Sequence, residues 1–102
     1  MKSYSILLYH DLLEPETWYG VVPAVPGVIS DGDSQLQALQ MTTEALELML
    51  EYCLESGQML PKDSFDLELA KQHVLAFFES SAELEFVVKS VNVRFEVSTV
   101  AA

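Results

Sequence analysis

Residues 34–56 carry the signals of one continuous helix, and no other stretch restricts the fold as much. Ser34 and Gln37 form a capping box, in which the serine hydroxyl accepts a hydrogen bond from a free amide and the glutamine side chain reaches back. Gly57 suits the C-terminal cap, and Leu60-Pro61 cannot continue the helix. Spacings of three and four predict one buried face, made of Leu36, Leu39, Thr43, Leu46, Leu50 and Cys53.

The segment before this helix reads as a hairpin. Residues 3–13 are rich in Ile, Leu and Tyr and predict a first strand. Glu14-Pro15-Glu16 is expected to end that strand, because proline has no amide to donate. Residues 17–22 then predict a second strand that pairs with the first.

A proline-rich loop follows the hairpin. Residues 23–27, with Pro23, Pro26 and Gly27, are expected to leave the sheet, since prolines cannot donate to a strand ladder. Residues 28–30 predict a short third strand, closed by Asp31-Gly32.

The C-terminal part predicts a second helix and further strand. Residues 62–66 form a polar link, and apolar spacing predicts a helix from Leu67 through Phe78 that ends near Ser80-Ser81. Residues 83–88 form a β-branched run, and residues 91–97 alternate apolar with polar. We therefore predict one α+β domain over residues 1–102. It has the order β-β-β-α-α-β(-β), with two helices against one face of an antiparallel-rich sheet of three to five strands.

The composition favours a protein partner over nucleic acid. Sixteen acidic residues against five basic ones give a formal net charge of −11. Nucleic-acid binding uses clustered Lys and Arg to displace counterions, and here the basic residues are scattered. Acidity attracts basic partners, although it is equally a route to solubility. The single cysteine, Cys53, allows no internal disulfide, and the short apolar N-terminus predicts neither a signal peptide nor a membrane span. We expect a cytoplasmic protein.

No residue pattern indicates catalysis. His10 and His73 are far apart and lack a metal-ligand spacing, and there is no nucleophile elbow or phosphate-binding loop. Asp11, Asp31 and Asp33 could belong to a two-metal nuclease site only if they converged from several elements. We therefore expect a non-enzymatic protein with no cofactor and no metal site.

Two groups of residues are candidates for binding a partner. Glu44, Glu47, Glu51 and Glu55 are spaced three, four and four apart, so one side of the helix carries all of them. This stripe suits a basic protein, or is simply a solvated face. Trp18 and Tyr19 are neighbours on a strand and point to opposite faces. One of them belongs to the core, and the other is either an interface anchor or covered by the proline-rich loop.

The loop and helix resemble the HicB-like antitoxins of toxin–antitoxin systems. The resemblance rests on Pro23-x-x-Pro26-Gly27, Gly32-Asp33-Ser34, the alanines Ala38 and Ala45, and the final Gly57 with Pro61, in that order over residues 4–61. It implies a partial ribonuclease-H-like fold without nuclease activity. It also implies a small basic HicA-like toxin ribonuclease as the partner, whose active surface the chain would cover.

The chain differs from that family after residue 61. Many relatives continue into a ribbon-helix-helix or helix-turn-helix that binds DNA, whereas residues 62–102 have few basic residues and the order helix then strand. We expect no DNA-binding module here, and treat the added helix as an insertion or an oligomerisation element. The Ala101-Ala102 end could also serve as a degradation signal. The alternative function is a stand-alone homo-oligomeric scaffold or small-ligand-binding protein.

Overall fold

A computed structural model describes residues 2–76 and 83–93. These residues form a four-stranded antiparallel sheet in the spatial order β3-β2-β1-β4, together with two helices. The elements are β1 (Lys2–Asp11), β2 (Glu14–Val21), β3 (Ile29–Gly32), α1 (Gln35–Glu55), α2 (Leu67–Leu75) and β4 (Leu84–Val93). The predicted class and order of elements are confirmed.

The β1–β2 hairpin turns earlier than predicted. The turn lies at Leu12 and Leu13, where the Leu13 amide donates to the Asp11 carboxylate at 2.9 Å. Glu14-Pro15-Glu16 is part of β2, so the expected break there is wrong. The register runs from Tyr9 opposite Tyr19 to Asp11 opposite Glu14, which leaves Pro15 inside an irregular stretch. A proline is tolerated at such a bulge because the bulged residues are not paired with the opposite strand. The missing N–H of proline therefore removes no hydrogen bond between the strands.

The proline-rich loop leaves the sheet as predicted and is closed by backbone hydrogen bonds. The Val22 amide donates to the Val28 carbonyl at 3.2 Å, and Gly27 has a φ of 95°. The third strand does not stop before Asp31 and Gly32, as we expected, but contains both of them. They pair with Tyr19 and Trp18 of β2.

The C-terminal strand is one element in the described residues, not two. β4 pairs with the whole of β1 in an uninterrupted register, from Lys2 opposite Val93 to Asp11 opposite Leu84. Ser90 and Asn92 do not interrupt the strand, because they pair with Ser5 and Ser3 of β1. The part of the predicted strand beyond Val93 lies outside the described residues.

The two helices lie on opposite faces of the sheet, so the prediction that both cover one face is wrong. Tyr4, Ile6 and Leu8 of β1 pack in one cluster with residues of α1. Leu7 and Tyr9 pack on the other side with Ala70 and Val74 of α2. Because side chains alternate along a strand, a β1 that is apolar at consecutive positions needs cover on both faces.

α1 begins and ends as predicted, and its buried face overlaps the predicted one, since Leu46 and Leu50 are buried as expected. Its buried residues are Ala38, Thr42, Leu46 and Leu50, whereas Leu36 is 63% exposed and Cys53 is half-buried. The helix lies close to the sheet, so the small residues Ala38 and Thr42 face it. The spacing rule selected larger apolar side chains and therefore missed these two positions.

α2 is shorter than predicted. It ends at Leu75, with Ala76 as its C-terminal cap, and begins at Leu67, with Asp66 as its N-terminal cap; the Asp66 carboxylate accepts from the Leu69 amide. Phe77, Phe78 and the expected end at Ser80-Ser81 lie outside the described residues.

Candidate protein-binding surface

The turn into α1 is built from the Gly32-Asp33-Ser34 motif. The Ser34 hydroxyl accepts from the Gln37 amide at 3.0 Å, and the Gln37 side chain accepts from the Asp33 amide at 2.5 Å. A Cβ atom at Gly32 would lie 2.6 Å from the Ala38 amide nitrogen. Glycine at this position therefore lets the end of β3 lie directly against the first turn of α1.

The proline-rich loop meets α1 at its middle. Gly27 and Val28 of the loop line a shallow apolar pocket with Ala45, Leu48 and Tyr52 of α1. The small Ala45 side chain leaves room for the loop to approach the helix. The residues of the family motif thus place the loop beside the side of α1 that carries Leu48 and Tyr52.

The structure places all four glutamates of the predicted stripe on the side of α1 that faces away from the sheet. Glu44 and Glu55 are exposed, and Glu47 and Glu51 are half-buried. Within residues 2–76 and 83–93, none of the four forms a salt bridge. Their negative charges are therefore not neutralised by the described part of the chain, and they give this side of the helix a negative potential.

An apolar row beside the glutamates was missed by the sequence reading. Met41, Leu48 and Tyr52 are 43%, 67% and 61% exposed. Their spacing of seven and four puts them on one side of α1. That spacing was visible in the sequence, but the buried face was assigned to other residues. The glutamate stripe and the apolar row therefore lie side by side on α1. Protein interfaces combine polar and apolar contacts in the same way.

Trp18 and Tyr19 point to opposite faces of the sheet, as predicted. Trp18 packs against the cluster on the α1 side and stacks on His10, with ring centroids 3.8 Å apart. Tyr19 packs on the α2 side and stacks on Tyr9 at 5.4 Å. Both are half-buried. Tyr19 therefore lies on the face opposite α1, and the structure does not bring it to the glutamate stripe.

His10 is the one buried histidine among the described residues. It is 8% exposed, neither ring nitrogen has a hydrogen-bond partner there, and its Nε2 lies 3.5 Å from a carboxylate oxygen of Glu85. Asp11 and Asp31 stand on β1 and β3, with β2 between them. No group of three or more metal-ligating side chains occurs in the described ranges. The carboxylates considered for a nuclease therefore do not converge there.

Two buried tyrosines have shifted acidity. Burial, with a smaller contribution from the nearby Asp63 and Cys53, raises the pKa of Tyr4 above 10.0. Burial, followed by the neighbouring Tyr19, raises the pKa of Tyr9 in the same way. Both phenols therefore remain neutral at physiological pH and act as packing and hydrogen-bonding groups.

A cavity of about 390 Å³ lies between α2 and the proline-rich loop. It is lined mainly by apolar side chains, among them Tyr9, Val21, Ile29 and Val74, and also by His73. Its size falls in the lower part of the range for small-molecule sites, roughly 300 to 1,000 Å³.

These features define a small α+β domain with helices on both faces of its sheet and an acidic, partly apolar outer helix. Residues 4–94 match the model of a family described as the HicB-like antitoxin of bacterial toxin–antitoxin systems. The chain belongs to this family. The match includes α2 and β4, so it extends well beyond the residues that carried the resemblance in sequence.

Solved structures share the fold. The antitoxin HicB of Burkholderia pseudomallei is 24% identical, with a TM-score of 0.61, and the match covers 97% of this chain and 65% of that one. This chain thus spans just under two thirds of that antitoxin. A toxin–antitoxin complex from Streptococcus pneumoniae contains a chain that is 23% identical, with a TM-score of 0.67 and coverage of 88% and 68%. A HicA3 and HicB3 toxin–antitoxin complex gives 22% identity, a TM-score of 0.54 and coverage of 83% and 94%.

No curated protein matches the chain at a significant level. Across the described ranges, no helix has both the length and the apolar character needed to cross a membrane.

Proposed function

We propose that this chain is a non-enzymatic antitoxin that binds a small, basic, HicA-like toxin ribonuclease in the cytoplasm and covers its active surface. The observation that carries the proposal is the family match over residues 4–94. Two proteins of similar fold come from toxin–antitoxin complexes, which supports a toxin as the kind of partner.

Electrostatics supports the same partner. A net charge of −11 attracts a cationic protein over distances of about a Debye length, ~8 Å at physiological salt. The stripe Glu44, Glu47, Glu51 and Glu55 would supply the local complement, because its charges have no basic partner among the described residues. The exposed row Met41, Leu48 and Tyr52 would supply apolar contact area beside it.

The proposal is tested by measuring RNA cleavage. A small basic protein encoded next to this chain would be purified and its ribonuclease activity measured with and without the antitoxin. We expect stoichiometric inhibition that weakens as salt is added, because screening reduces the attraction between exposed charges. A neighbouring protein whose RNA cleavage is unaffected by an excess of this chain would contradict the proposal.

A matched pair of variants locates the contact. The first changes Glu44, Glu47, Glu51 and Glu55 to Gln. The control changes Glu14, Asp31, Glu68 and Glu83, all exposed, to the corresponding amides. Both variants remove four negative charges, so a difference in their inhibition of the toxin can come only from a specific contact. We expect the stripe variant to lose most of its inhibition and the control to keep it. Equal loss in both would show that net charge, and not the stripe, attracts the partner.

A second candidate function is a stand-alone protein that binds a small apolar ligand, and the cavity beside α2 favours it. The fluorescent probe 8-anilinonaphthalene-1-sulfonate would be titrated into the protein. Saturable binding that disappears on Ile29→Trp would support this candidate, because Ile29 lines the cavity and is 59% exposed. Fluorescence unchanged by that substitution would count against it.

A further inference from the structure

β4 is an edge strand of the sheet that the described residues form. It is ten residues long, and within residues 2–76 and 83–93 it pairs with β1 alone. Every second amide and carbonyl of an edge strand points away from the sheet, where it can pair with another strand.

This edge lacks most of the features that prevent edge-to-edge pairing. Natural edge strands are usually short, interrupted by proline, or twisted away by a bulge. β4 contains no proline, and its register with β1 has no shift over ten pairs. Its protection within the described residues is the charge of two exposed side chains, Glu85 and Lys89, each of which would be costly to pair with an uncharged neighbour.

β4 carries opposite charges at equal distances from Val87, with Glu85 two residues before it and Lys89 two residues after it. In an antiparallel pairing of two copies with Val87 on the two-fold axis, Glu85 faces Lys89 of the partner subunit, and the reverse pair forms by symmetry. Glu85 and Lys89 lie opposite His10 and Ile6 of β1, so both point to the α1 side of the sheet. Both are exposed, as is required for a cross-strand pair. The same register sets Phe86 against Val88 of the partner subunit on the other face.

We propose that β4 binds the β4 of a second copy of this chain, and that the two four-stranded sheets form one continuous eight-stranded sheet centred on Val87. Lys89 then has two roles. It opposes pairing with unrelated strands, and it selects the register in which Glu85 of the partner subunit faces it. This pairing uses residues of β4 and none of the α1 residues proposed to bind the toxin.

Charge reversal tests the register by sedimentation equilibrium. Glu85→Lys and Lys89→Glu each place like charges opposite each other at two symmetric positions. Each is expected to weaken the dimer by roughly tenfold or more. The double variant Glu85→Lys/Lys89→Glu restores both pairs and is expected to dimerise like the unsubstituted protein. Circular dichroism and thermal unfolding would show that each variant is folded.

General repulsion predicts a different outcome. Glu85→Lys changes the net charge from −11 to −9 and so reduces its magnitude. Weaker general repulsion would therefore strengthen association, whereas loss of the specific pair predicts weakening. Glu44→Lys and Lys62→Glu carry the same charge changes away from β4 and serve as controls. A monomer at all concentrations, or a dimer that responds to the controls as it does to the β4 variants, would overturn the proposal.

Disulfide cross-linking gives an independent test of the axis. In a Cys53→Ala background, Val87→Cys places two thiols opposite each other, at the separation of about 4.5 to 5.5 Å between Cα atoms that directly opposed residues have. We expect efficient oxidation to a covalent dimer. Val88→Cys is one residue away and points to the other face, so it should cross-link poorly. Equal cross-linking of both, or of neither, would contradict the register.

Discussion

Asp63 accepts two hydrogen bonds from Ser5, one from its backbone amide and one from its hydroxyl, each at 3.0 Å. β2 ends at Val21 opposite Leu7, so β1 has no strand partner on that side at Ser5. The carboxylate of Asp63 takes the place of the missing strand. The nearby Pro61 carbonyl accepts from the Tyr4 hydroxyl, which attaches the segment between α1 and α2 to the start of β1.

Removal of this carboxylate should destabilise the fold. Asp63→Ala leaves the Ser5 amide without its acceptor, and we expect the free energy of unfolding to fall by about 1 to 2 kcal/mol. Asp63→Asn keeps one acceptor oxygen and should give a smaller loss. Urea denaturation measures both. Ser64→Ala, at an exposed neighbour, is the control, and an equal loss there would show that the contact with Ser5 is not the cause.

The contact between β2 and α1 leaves no room for a side chain at Gly20. A Cβ atom there would collide with the Thr42 hydroxyl and lie 3.0 Å from the Thr42 Cβ. Gly20→Ala is expected to destabilise the protein by about 1 to 3 kcal/mol, because a packed core resists added volume. In a Thr42→Ala background the loss should be smaller. A double-mutant cycle by chemical denaturation measures this coupling, and strictly additive losses would contradict it.

The capping box at the start of α1 contributes measurable stability. Ser34→Ala removes the acceptor of the Gln37 amide, and we expect a loss of about 1 kcal/mol. Ser34→Asp supplies another acceptor and should retain most of the stability. Thermal unfolding measures the difference, with the exposed Gln40→Ala as the control. No loss in Ser34→Ala relative to Gln40→Ala would show that the cap is unimportant.

The glutamate stripe should trade stability for binding. Glu55 lies in the last turn of α1, where the helix dipole favours positive charge, and its neighbour Glu51 is one turn away. Glu55→Lys is therefore expected to raise the free energy of unfolding by about 0.3 to 1 kcal/mol. The same change should weaken toxin inhibition. Chemical denaturation and the RNA-cleavage assay measure the two effects, and a change of the same sign in both would disprove the trade-off.

The two buried tyrosines predict a loss of stability in alkali. Their pKa values are raised above 10.0 in the folded chain, so the unfolded chain releases these protons at lower pH than the folded chain. Their contribution to stability is complete below pH 10 and declines as pH rises through the raised pKa values. Urea denaturation from pH 8 to 11 should show this decline. Tyr4→Phe should make it shallower, and an unchanged slope would assign the decline to other groups.

Signals contained within a few neighbouring residues predicted their structure correctly. Ser34 and Gln37 identified the start of α1, and Gly57, with a φ of 74°, identified its end. The Gln58 amide donates to the Cys53 carbonyl, which completes the expected C-terminal cap. Helix geometry also put the four glutamates on one side. These features depend only on residue spacing and on the backbone preferences of neighbouring residues, so the sequence alone predicts them.

Features that depend on distant partners were decided only by packing. The buried face of α1 is rotated from the predicted one toward Ala38 and Thr42, because β2 and β3 approach the helix closely at Gly20 and Gly32. α2 packs on the face opposite α1 because β1 is apolar on both faces, and the amphipathic pattern of a helix does not specify which face it covers. Pro15 fits inside β2 because the pairing with β1 is irregular there. Each of these outcomes depends on a contact between two different elements, which the periodicity of one element does not contain.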